Sequence, residues 1–227
     1  MSRPRIGITT SYNDSAQQLD HAYIKAVEAA GGLPLIVPML TDPQAMAEFA
    51  TLLDGLLMVG GPGITRGLIG SLPDDLAPVD PIRDRTDQLI YSAFQHDVRP
   101  VLGICYGMQF INAQAGGTIY GDVMAQAEGE IQPHSPKRGG TSHPVQIAPN
   151  SALGRVLQTD SLTVNTYHLQ ALASVGDGLQ VNATSPDGVI EGIETPDGRM
   201  IGVQFHPERM TEQTAALFAD FIARARR

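Results

Sequence analysis

The chain has 227 residues, 42% of them hydrophobic, and this size and apolar content predict one globular domain over residues 1–227 with a sizeable core. Its net charge of −9 and the lack of a basic run argue against nucleic acid or an anionic membrane as the main partner. The single cysteine excludes an internal disulfide and fits a reducing, cytoplasmic compartment, and no apolar stretch approaches the roughly 20 residues of a membrane-spanning helix.

The first hundred residues alternate between predicted strands and helices. Apolar alternation predicts a strand at 5–10, and apolar residues at helical spacing follow it. A second strand, 33–39, precedes a helix that Asp42 caps and that runs to about Leu53. Next come a buried parallel strand, a long loop rich in glycine and proline, a helix and another strand, over 56–59, 60–81, about 82–97 and 101–104.

Strands dominate the second half of the chain. A weakly patterned stretch, 123–142, follows the next helix. Pro-Asp-Gly occurs at 186–188 and at 196–198 and predicts two hairpin turns, and a final helix begins at about Thr211. The whole order predicts a three-layer α/β fold, in which a mixed, mostly parallel sheet is flanked by helices and carries an antiparallel extension.

Cys105 stands between an apolar strand and a predicted helix, with Gly103 two residues before it and Gly107 two residues after it. This pattern is typical of a nucleophile elbow, a sharp turn that lifts one side chain above the sheet. The turn holds the nucleophile in a strained conformation, and small neighbours let the two arms of the chain pass closely. We therefore predict a nucleophilic thiol, against the alternative of a small buried hydrophobe.

The segment from Gln204 to Glu208 can supply the base that such a thiol needs. In an extended segment His206 and Glu208, two residues apart, would point to the same side. The carboxylate could then hold one imidazole nitrogen so that the other faces the thiol. The alternative is that His206 is an ordinary packed or surface histidine.

These two segments resemble the class I glutamine amidotransferase superfamily, whose members carry G-[IV]-C-x-G-x-Q at the elbow and H-P-E at the end of the triad. The similarity covers essentially the whole chain and points to the γ-glutamyl hydrolase branch, peptidase C26. The further matching segments are 5–10, 29–38, 55–63 and 164–170. The resemblance implies a flavodoxin-like sheet and a hydrolase of small γ-glutamyl amides, similar to γ-glutamyl-γ-aminobutyrate.

The resemblance also implies roles for particular residues. Cys105 would form a γ-glutamyl thioester, with His206 moving the proton and Glu208 orienting the imidazole. The oxyanion hole would use the backbone amides of Gly61 and Tyr106, and Gly61 would be glycine because its amide needs an unusual backbone conformation.

Two further positions are implied on the substrate side. Gln109 would contact the glutamyl group, with the alternative that it braces a loop, and His168 would bind substrate, with the alternative that it is a packed strand-end residue. Tyr106 replaces the branch's usual arginine and Leu169 replaces its second histidine. Both changes are expected beside the substrate pocket, so the amine half of the substrate stays open.

Other functions and partners follow from the same comparison. A glutaminase subunit that supplies ammonia to a separate synthetase is the first alternative, and a non-catalytic binding protein is the second. The expected partner is a small γ-glutamyl molecule, with no nucleic acid and no membrane, and a homodimer stays open.

No metal or other cofactor is expected, because the glycine clusters lack nucleotide-binding spacing. Four histidines lack ligand spacing and are expected at the surface: His21, His96, His134 and His143.

Overall fold

The structure is a computed structural model that describes residues 2–13 and 15–226. Its helices are α1 His21–Ala29, α2 Pro43–Ala50, α3 Pro81–Ser92, α4 Tyr106–Gln114, α5 Val123–Gln126, α6 Ala152–Leu157 and α7 Thr211–Arg224, with short 3-10 helices at Pro136–Arg138 and Pro207–Arg209. Its strands are β1 Arg5–Ile8, β2 Ser11–Asn13, β3 Ala16–Gln18, β4 Leu33–Ile36, β5 Gly55–Met58, β6 Leu68–Ile69, β7 Val101–Ile104, β8 Thr118–Tyr120, β9 Ser142–Ile147, β10 Ser161–Asn165, β11 Ala171–Ser174, β12 Gln180–Thr184, β13 Ile190–Glu194 and β14 Met200–Val203.

One mixed sheet organises the molecule in the order β10-β9-β12-β13-β14-β7-β5-β1-β4. From β14 to β4 every neighbouring pair is parallel, and from β10 to β14 every pair is antiparallel. We call these two parts the parallel half and the antiparallel half. This arrangement confirms the predicted α/β fold with its antiparallel extension.

Helices cover both faces of the parallel half, which is why its central strands are continuous apolar runs. All residues of β5 and β7 are buried. Leu57 packs on one face with residues of α1 and α7, whereas Leu56 and Met58 pack on the other with residues of α2, α3 and α4. Burying one such side chain contributes about 1.5–3 kcal/mol, so the two apolar layers fix the sheet between the helices.

The predicted caps and turns are confirmed, whereas several element ends differ. The Asp42 side chain accepts a hydrogen bond of 3.0 Å from the Gln44 N–H, and the two Pro-Asp-Gly turns join β12 to β13 and β13 to β14. The helix predicted to run to residue 97 ends at Ser92, and the strand predicted to run to 39 ends at Ile36. Pro38, which has no N–H, follows that strand.

The sequence analysis missed the hairpin of β2 and β3, because its residues are polar and mostly exposed and show no apolar alternation. It also missed β6, a two-residue strand within the long loop that pairs in parallel with β8. In residues 2–13 and 15–226, no helix combines the length and apolar character needed to cross a bilayer.

Candidate active site

Cys105 occupies the junction between β7 and α4 in a strained backbone conformation. Its φ is 52° and its ψ is −108°, a region that residues with a side chain rarely adopt. Its N–H donates to the carbonyl of Val203 in β14 at 2.8 Å, and its carbonyl accepts from the Gln109 N–H at 3.1 Å. The turn is thus held from both sides, and the side chain, 7% exposed, lies at the carboxyl edge of the sheet.

The two flanking glycines are required by close packing. A Cβ on Gly107 would collide with the carbonyl oxygen of Met58 in β5. A Cβ on Gly103 would lie 2.7 Å from the Ile111 side chain and 2.9 Å from the backbone of Gly107. The close passage of the two arms that the sequence predicts is therefore confirmed.

His206 and Glu208 are paired, with 2.7 Å between Nδ1 of the imidazole and Oε1 of the carboxylate. They do not sit in an extended segment, so that part of the prediction is wrong: β14 ends at Val203 and a 3-10 turn begins at Pro207. Asn165 anchors the turn, because its amide accepts from the His206 N–H at 2.8 Å and donates to the His206 carbonyl at 2.9 Å. The predicted pair thus forms at the start of a 3-10 turn and not in an extended strand.

The surroundings of His206 favour its charged form. Burial alone would lower the pKa of the imidazole, but its interactions with Cys105 and Glu208 outweigh burial and raise the pKa to about 10. The Tyr23 hydroxyl lies 3.3 Å from Nδ1 and accepts from the Gly60 N–H at 3.1 Å. Burial raises the pKa of Tyr23 above its ordinary value, so the hydroxyl stays neutral beside the imidazolium.

Gly61 and Tyr106 lie on either side of the elbow, at the end of β5 and at the start of α4. Neither backbone N–H has a hydrogen-bond acceptor within the described part of the chain, so both are available to a bound oxygen. The expected unusual conformation of Gly61 is wrong, because its φ is not positive. The position needs glycine for another reason: a Cβ there would clash with the guanidinium of Arg83.

Sequence reasoning missed Arg83, which is fully buried behind the turn after β5. One of its nitrogens, Nη2, donates to the carbonyls of Val59 and Gly60 at 3.2 and 3.1 Å, and Nε donates to Asp87 at 3.2 Å. Burial raises the pKa of Asp87 to about 6, even though Arg83 lowers it. An Arg and an Asp four residues apart usually mark a solvated helix face, so the pattern gave no signal of burial.

The Tyr106 side chain does not border the pocket, which corrects the expectation from the sequence. Its ring is 1% exposed and lies against Phe110 and under the guanidinium of Arg83, 4.2 Å from the ring centre. Leu169 does line the pocket beside Cys105, as expected. Tyr106, which replaces the arginine usual in the branch, therefore affects the core behind the elbow. Leu169, which replaces the second histidine, affects the pocket itself.

The pocket beside Cys105 is lined by Gly61, Pro62, Leu76, Cys105, Gln109, Tyr167, His168, Leu169 and Gln170. Gln109 braces this wall, because its amide nitrogen donates to the Gln170 carbonyl at 3.1 Å and to Gln204 at 3.0 Å. His168 lies in the wall, but its ring nitrogens are turned away: Nδ1 bonds the Gln170 carbonyl at 2.9 Å and Nε2 faces Glu191 at 3.5 Å. Both residues are therefore at the pocket, and both are engaged with the protein.

Two histidines expected at the surface are buried, which corrects the sequence analysis. His134 is 1% exposed and His143 is 3% exposed, and they gather with His168 around the fully buried Glu191. The spacing rule failed because these residues come from separate segments that only the sheet brings together. His21 and His96 are exposed, as predicted.

A cysteine at a strand-to-helix elbow, a nearby His–Glu pair and a mostly parallel sheet with an antiparallel extension define a class I glutamine amidotransferase-like fold. The chain belongs to the Peptidase C26 family, whose model matches residues 4–208. This result confirms the predicted family and a γ-glutamyl hydrolase- or amidotransferase-like function.

Two curated relatives match most of the chain. A putative glutamine amidotransferase of Schizosaccharomyces pombe is 33% identical and covers 100% of this chain and 88% of its own length. The γ-glutamyl-γ-aminobutyrate hydrolase PuuD of Escherichia coli K12 is 30% identical and covers 98% of this chain and 93% of its own length.

Many solved structures match the fold of this chain. A putative GMP synthase protein of Thermoplasma acidophilum has a TM-score of 0.69 at 19% identity and covers 99% of this chain and 95% of its own. The glutaminase domain of Trypanosoma brucei CTPS, with bound acivicin, has a TM-score of 0.70 at 15% identity, with coverages of 98% and 93%.

Proposed function

We propose that the chain is a cysteine-dependent hydrolase of small γ-glutamyl amides that works through a γ-glutamyl thioester on Cys105. The observation that carries this proposal is the strained Cys105 at the elbow, close to the paired His206 and Glu208. Similarity to a γ-glutamyl-γ-aminobutyrate hydrolase over nearly the whole chain supports the glutamyl half of the substrate. The proposal leaves the amine half open.

In the proposed reaction the Cys105 sulfur attacks the γ-carboxamide carbon while His206 holds the thiol proton, which is the charged form that the surroundings of the imidazole favour. His206 then gives that proton to the nitrogen of the leaving amine as the C–N bond breaks. Water attacks the thioester, His206 accepts a proton from the water, and the proton returns to sulfur as the C–S bond breaks and free glutamate leaves. Glu208 holds the imidazole in the orientation that both steps need.

The oxyanion of each tetrahedral intermediate would accept hydrogen bonds from the backbone amides of Gly61 and Tyr106. Such donors contribute about 3 kcal/mol each when they are held in place before the reaction. Arg83 supports the first donor by fixing the carbonyls of Val59 and Gly60. The second donor lies at the N-terminus of α4, where the helix dipole also favours negative charge.

We infer that Gln109 and His168 shape the part of the pocket that takes the glutamyl group. The amide nitrogen of Gln109 already bonds protein groups, and so does Nδ1 of His168. We therefore propose that both side chains hold the Gln170 carbonyl, and with it this wall of the pocket, in place for the glutamyl group. We also infer one amidotransferase-like domain over residues 1–227, because a single sheet joins strands from β1 to β14.

The test is a mass-spectrometric screen of the purified chain against γ-glutamyl amides, glutamine and matched α-glutamyl amides, with Cys105→Ala as the control. We expect hydrolysis of γ-linked compounds by the wild type alone. A glutamine-mimicking electrophile should label Cys105 stoichiometrically, and γ-linked substrates should slow that labelling. Equal protection by α-linked amides would remove γ-glutamyl specificity from the proposal.

The second candidate is a glutaminase subunit that supplies ammonia to a separate synthetase. The specific observation that favours it is the 33% identical relative described as a putative glutamine amidotransferase. Turnover by the isolated chain discriminates between the two functions. Negligible turnover and labelling that requires an added synthetase would favour the ammonia-supplying function.

A further inference from the structure

Three imidazoles and one carboxylate meet in the core beside the pocket, and none of them makes or breaks a bond in the proposed reaction. His143 lies on β9 and Glu191 on β13, whereas His134 precedes the first 3-10 helix and His168 follows β10. We call these four residues the His–Glu cluster. All four are buried, with Glu191 completely shielded from solvent.

The nitrogens of the cluster converge on a single oxygen, Oε1 of Glu191. The distances from Oε1 are 3.2 Å to Nε2 of His143, 3.4 Å to Nδ1 of His134 and 3.5 Å to Nε2 of His168. Metal bonds of about 2.0–2.2 Å in a tetrahedral site place ligand atoms roughly 3.3–3.5 Å apart. The three separations from Oε1 match that spacing, and two of them exceed the ordinary range of a hydrogen bond. All four ligand atoms lie within 4.8 Å of one another.

These converging atoms have no hydrogen-bond partner among the described residues. The unpartnered atoms are Nδ1 of His134, both ring nitrogens of His143, Nε2 of His168 and both carboxylate oxygens of Glu191. Leaving so many buried polar groups without a partner is costly, and a buried carboxylate is the costliest of them. A cation at their centre would satisfy one atom of each residue at once.

Two of the histidines are oriented as metal ligands are. The other nitrogen of His134, Nε2, donates to the Asp187 carboxylate at 2.9 Å, and the other nitrogen of His168, Nδ1, donates to the Gln170 carbonyl at 2.9 Å. Each of these bonds places the ring proton outside the cluster and leaves a lone pair directed at Glu191. Metal-ligating histidines in proteins are held by partners of this kind.

We propose that His134, His143, His168 and Glu191 bind one divalent transition-metal ion, and that Zn²⁺ is the ion that this ligand set suits. Three imidazoles and one carboxylate complete a four-coordinate site with no open position, which is typical of a structural site. Glu191 and Asp187 together offset the charge of the ion. This proposal replaces the expectation from the sequence that the chain holds no metal.

The site would fix one wall of the pocket. The His168 N–H donates to the His134 carbonyl at 3.0 Å, so the two ligands already hold their segments together. On one side of His168, Asn165 holds the backbone of His206, and on the other Gln170 bonds both the N–H and the carbonyl of Ile64 at 2.7 and 3.0 Å. A metal ion bound to the cluster would therefore stabilise residues 165–170, which contact both the backbone of His206 and the loop after β5.

The first experiment measures metal binding by the wild-type chain, prepared without a histidine tag and stripped with a chelator. We expect it to bind one equivalent of Co²⁺ with the visible absorption of a tetrahedral ion, and Zn²⁺ to displace that ion. Zn²⁺ at about 100-fold its Kd should raise the Tm by about 5–10 °C. Absence of stoichiometric binding at micromolar metal would overturn the proposal and would favour an ion pair between His143 and Glu191.

The second experiment assigns the ligands. Glu191→Gln and His143→Gln should weaken Zn²⁺ binding about 100-fold or more, because each removes a direct ligand. The exposed His96→Gln is the matched control and should leave the affinity unchanged. Wild-type affinity in both ligand variants would overturn the assignment, and the wild-type titration decides the proposal if either variant fails to fold. None of these measurements depends on catalytic activity.

Discussion

The parallel and antiparallel halves of the sheet both contribute to the walls of the Cys105 pocket, but they are built on different principles. In the parallel half, Gly61, Cys105 and His206 each follow a strand closely, and each lies in a short contiguous motif. In the antiparallel half, the His–Glu cluster draws its members from separate segments. Chemistry that depends on local backbone geometry leaves a motif in the sequence, whereas a site formed by convergence does not.

The two halves also differ in what their buried polar groups do. Around Cys105 the backbone is strained, and His206 and Glu208 form the polar pair of the proposed reacting centre. In the His–Glu cluster the polar groups point at one another, away from the pocket. We therefore expect changes in the parallel half to affect turnover more than stability. The following predictions test that division.

Cys105→Ala should have the largest effect. Loss of the thiol should lower kcat/KM by about 10⁴-fold or more, because no other group in the site can form the thioester. The Tm should shift by no more than about 2–4 °C, since the substitution removes only one sulfur atom from this buried position. Hydrolysis assays and thermal unfolding, run on the same preparation, check both parts. A large fall in Tm would show that the elbow cysteine is a packing residue.

His206→Ala should approach the loss seen for Cys105→Ala, whereas Glu208→Gln should cost about 100-fold less. In the proposed mechanism the imidazole moves the proton, and the carboxylate only orients and stabilises the imidazole. Glu208→Gln should also lower the pKa of His206 from about 10, which an NMR titration of the imidazole measures. Equal losses in kcat/KM, with both variants folded, would contradict this division of roles.

Gly61→Val should lower kcat by about 10-fold or more through loss of one oxyanion donor. Its side chain would displace the guanidinium of Arg83, which holds the turn after β5. Gly188→Ala is a control in a distant hairpin: an added Cβ has no atom within 4 Å there, and its φ of 84° strains a side chain, so it should affect stability and leave kcat unchanged. An unchanged kcat for Gly61→Val would mean that another amide forms the hole.

Tyr167→Ala should have the smallest effect of the four. Its ring is 47% exposed at the mouth of the pocket and lies edge-on to His206, with the ring centres 5.6 Å apart. Because it touches no reacting atom in the proposed mechanism, we expect KM to rise a few-fold and kcat to stay nearly unchanged. The exposed Val98→Ala, far from the pocket lining, is the matched control, and steady-state kinetics on a γ-glutamyl amide decide the outcome.

The sequence was sufficient to predict the order of the main strands and helices in the parallel half and the two hairpin turns of the antiparallel half. Val101–Ile104 is a continuous apolar run that ends at a glycine-flanked cysteine, and the structure places β7 at those residues. Asp42 and the Pro-Asp-Gly turns act through their immediate neighbours, so their effects are readable locally. The pairing of His206 with Glu208 was also predicted, because only one residue, Pro207, separates them.

Features that depend on distant contacts were not predictable. Arg83 has the pattern of a solvated helix residue, and only the packing of α3 behind β5 buries it. Tyr106 follows the nucleophile directly, yet its side chain turns into the core. The His–Glu cluster needs the register of β9 and the position of β13, and neither follows from the spacing of its residues along the chain.

The backbone of Cys105 has a consequence for how this chain can change over evolutionary time. Glycine adopts a φ of 52° more easily than any residue with a side chain, and such strain costs about 1–3 kcal/mol. Replacement of Cys105 by glycine should therefore make the fold more stable while it removes the thiol. In a lineage under no selection for the thiol, mutation would drift toward glycine at this position. The presence of cysteine in this conformation thus argues against a non-catalytic protein that kept the fold only for structure or for ligand binding.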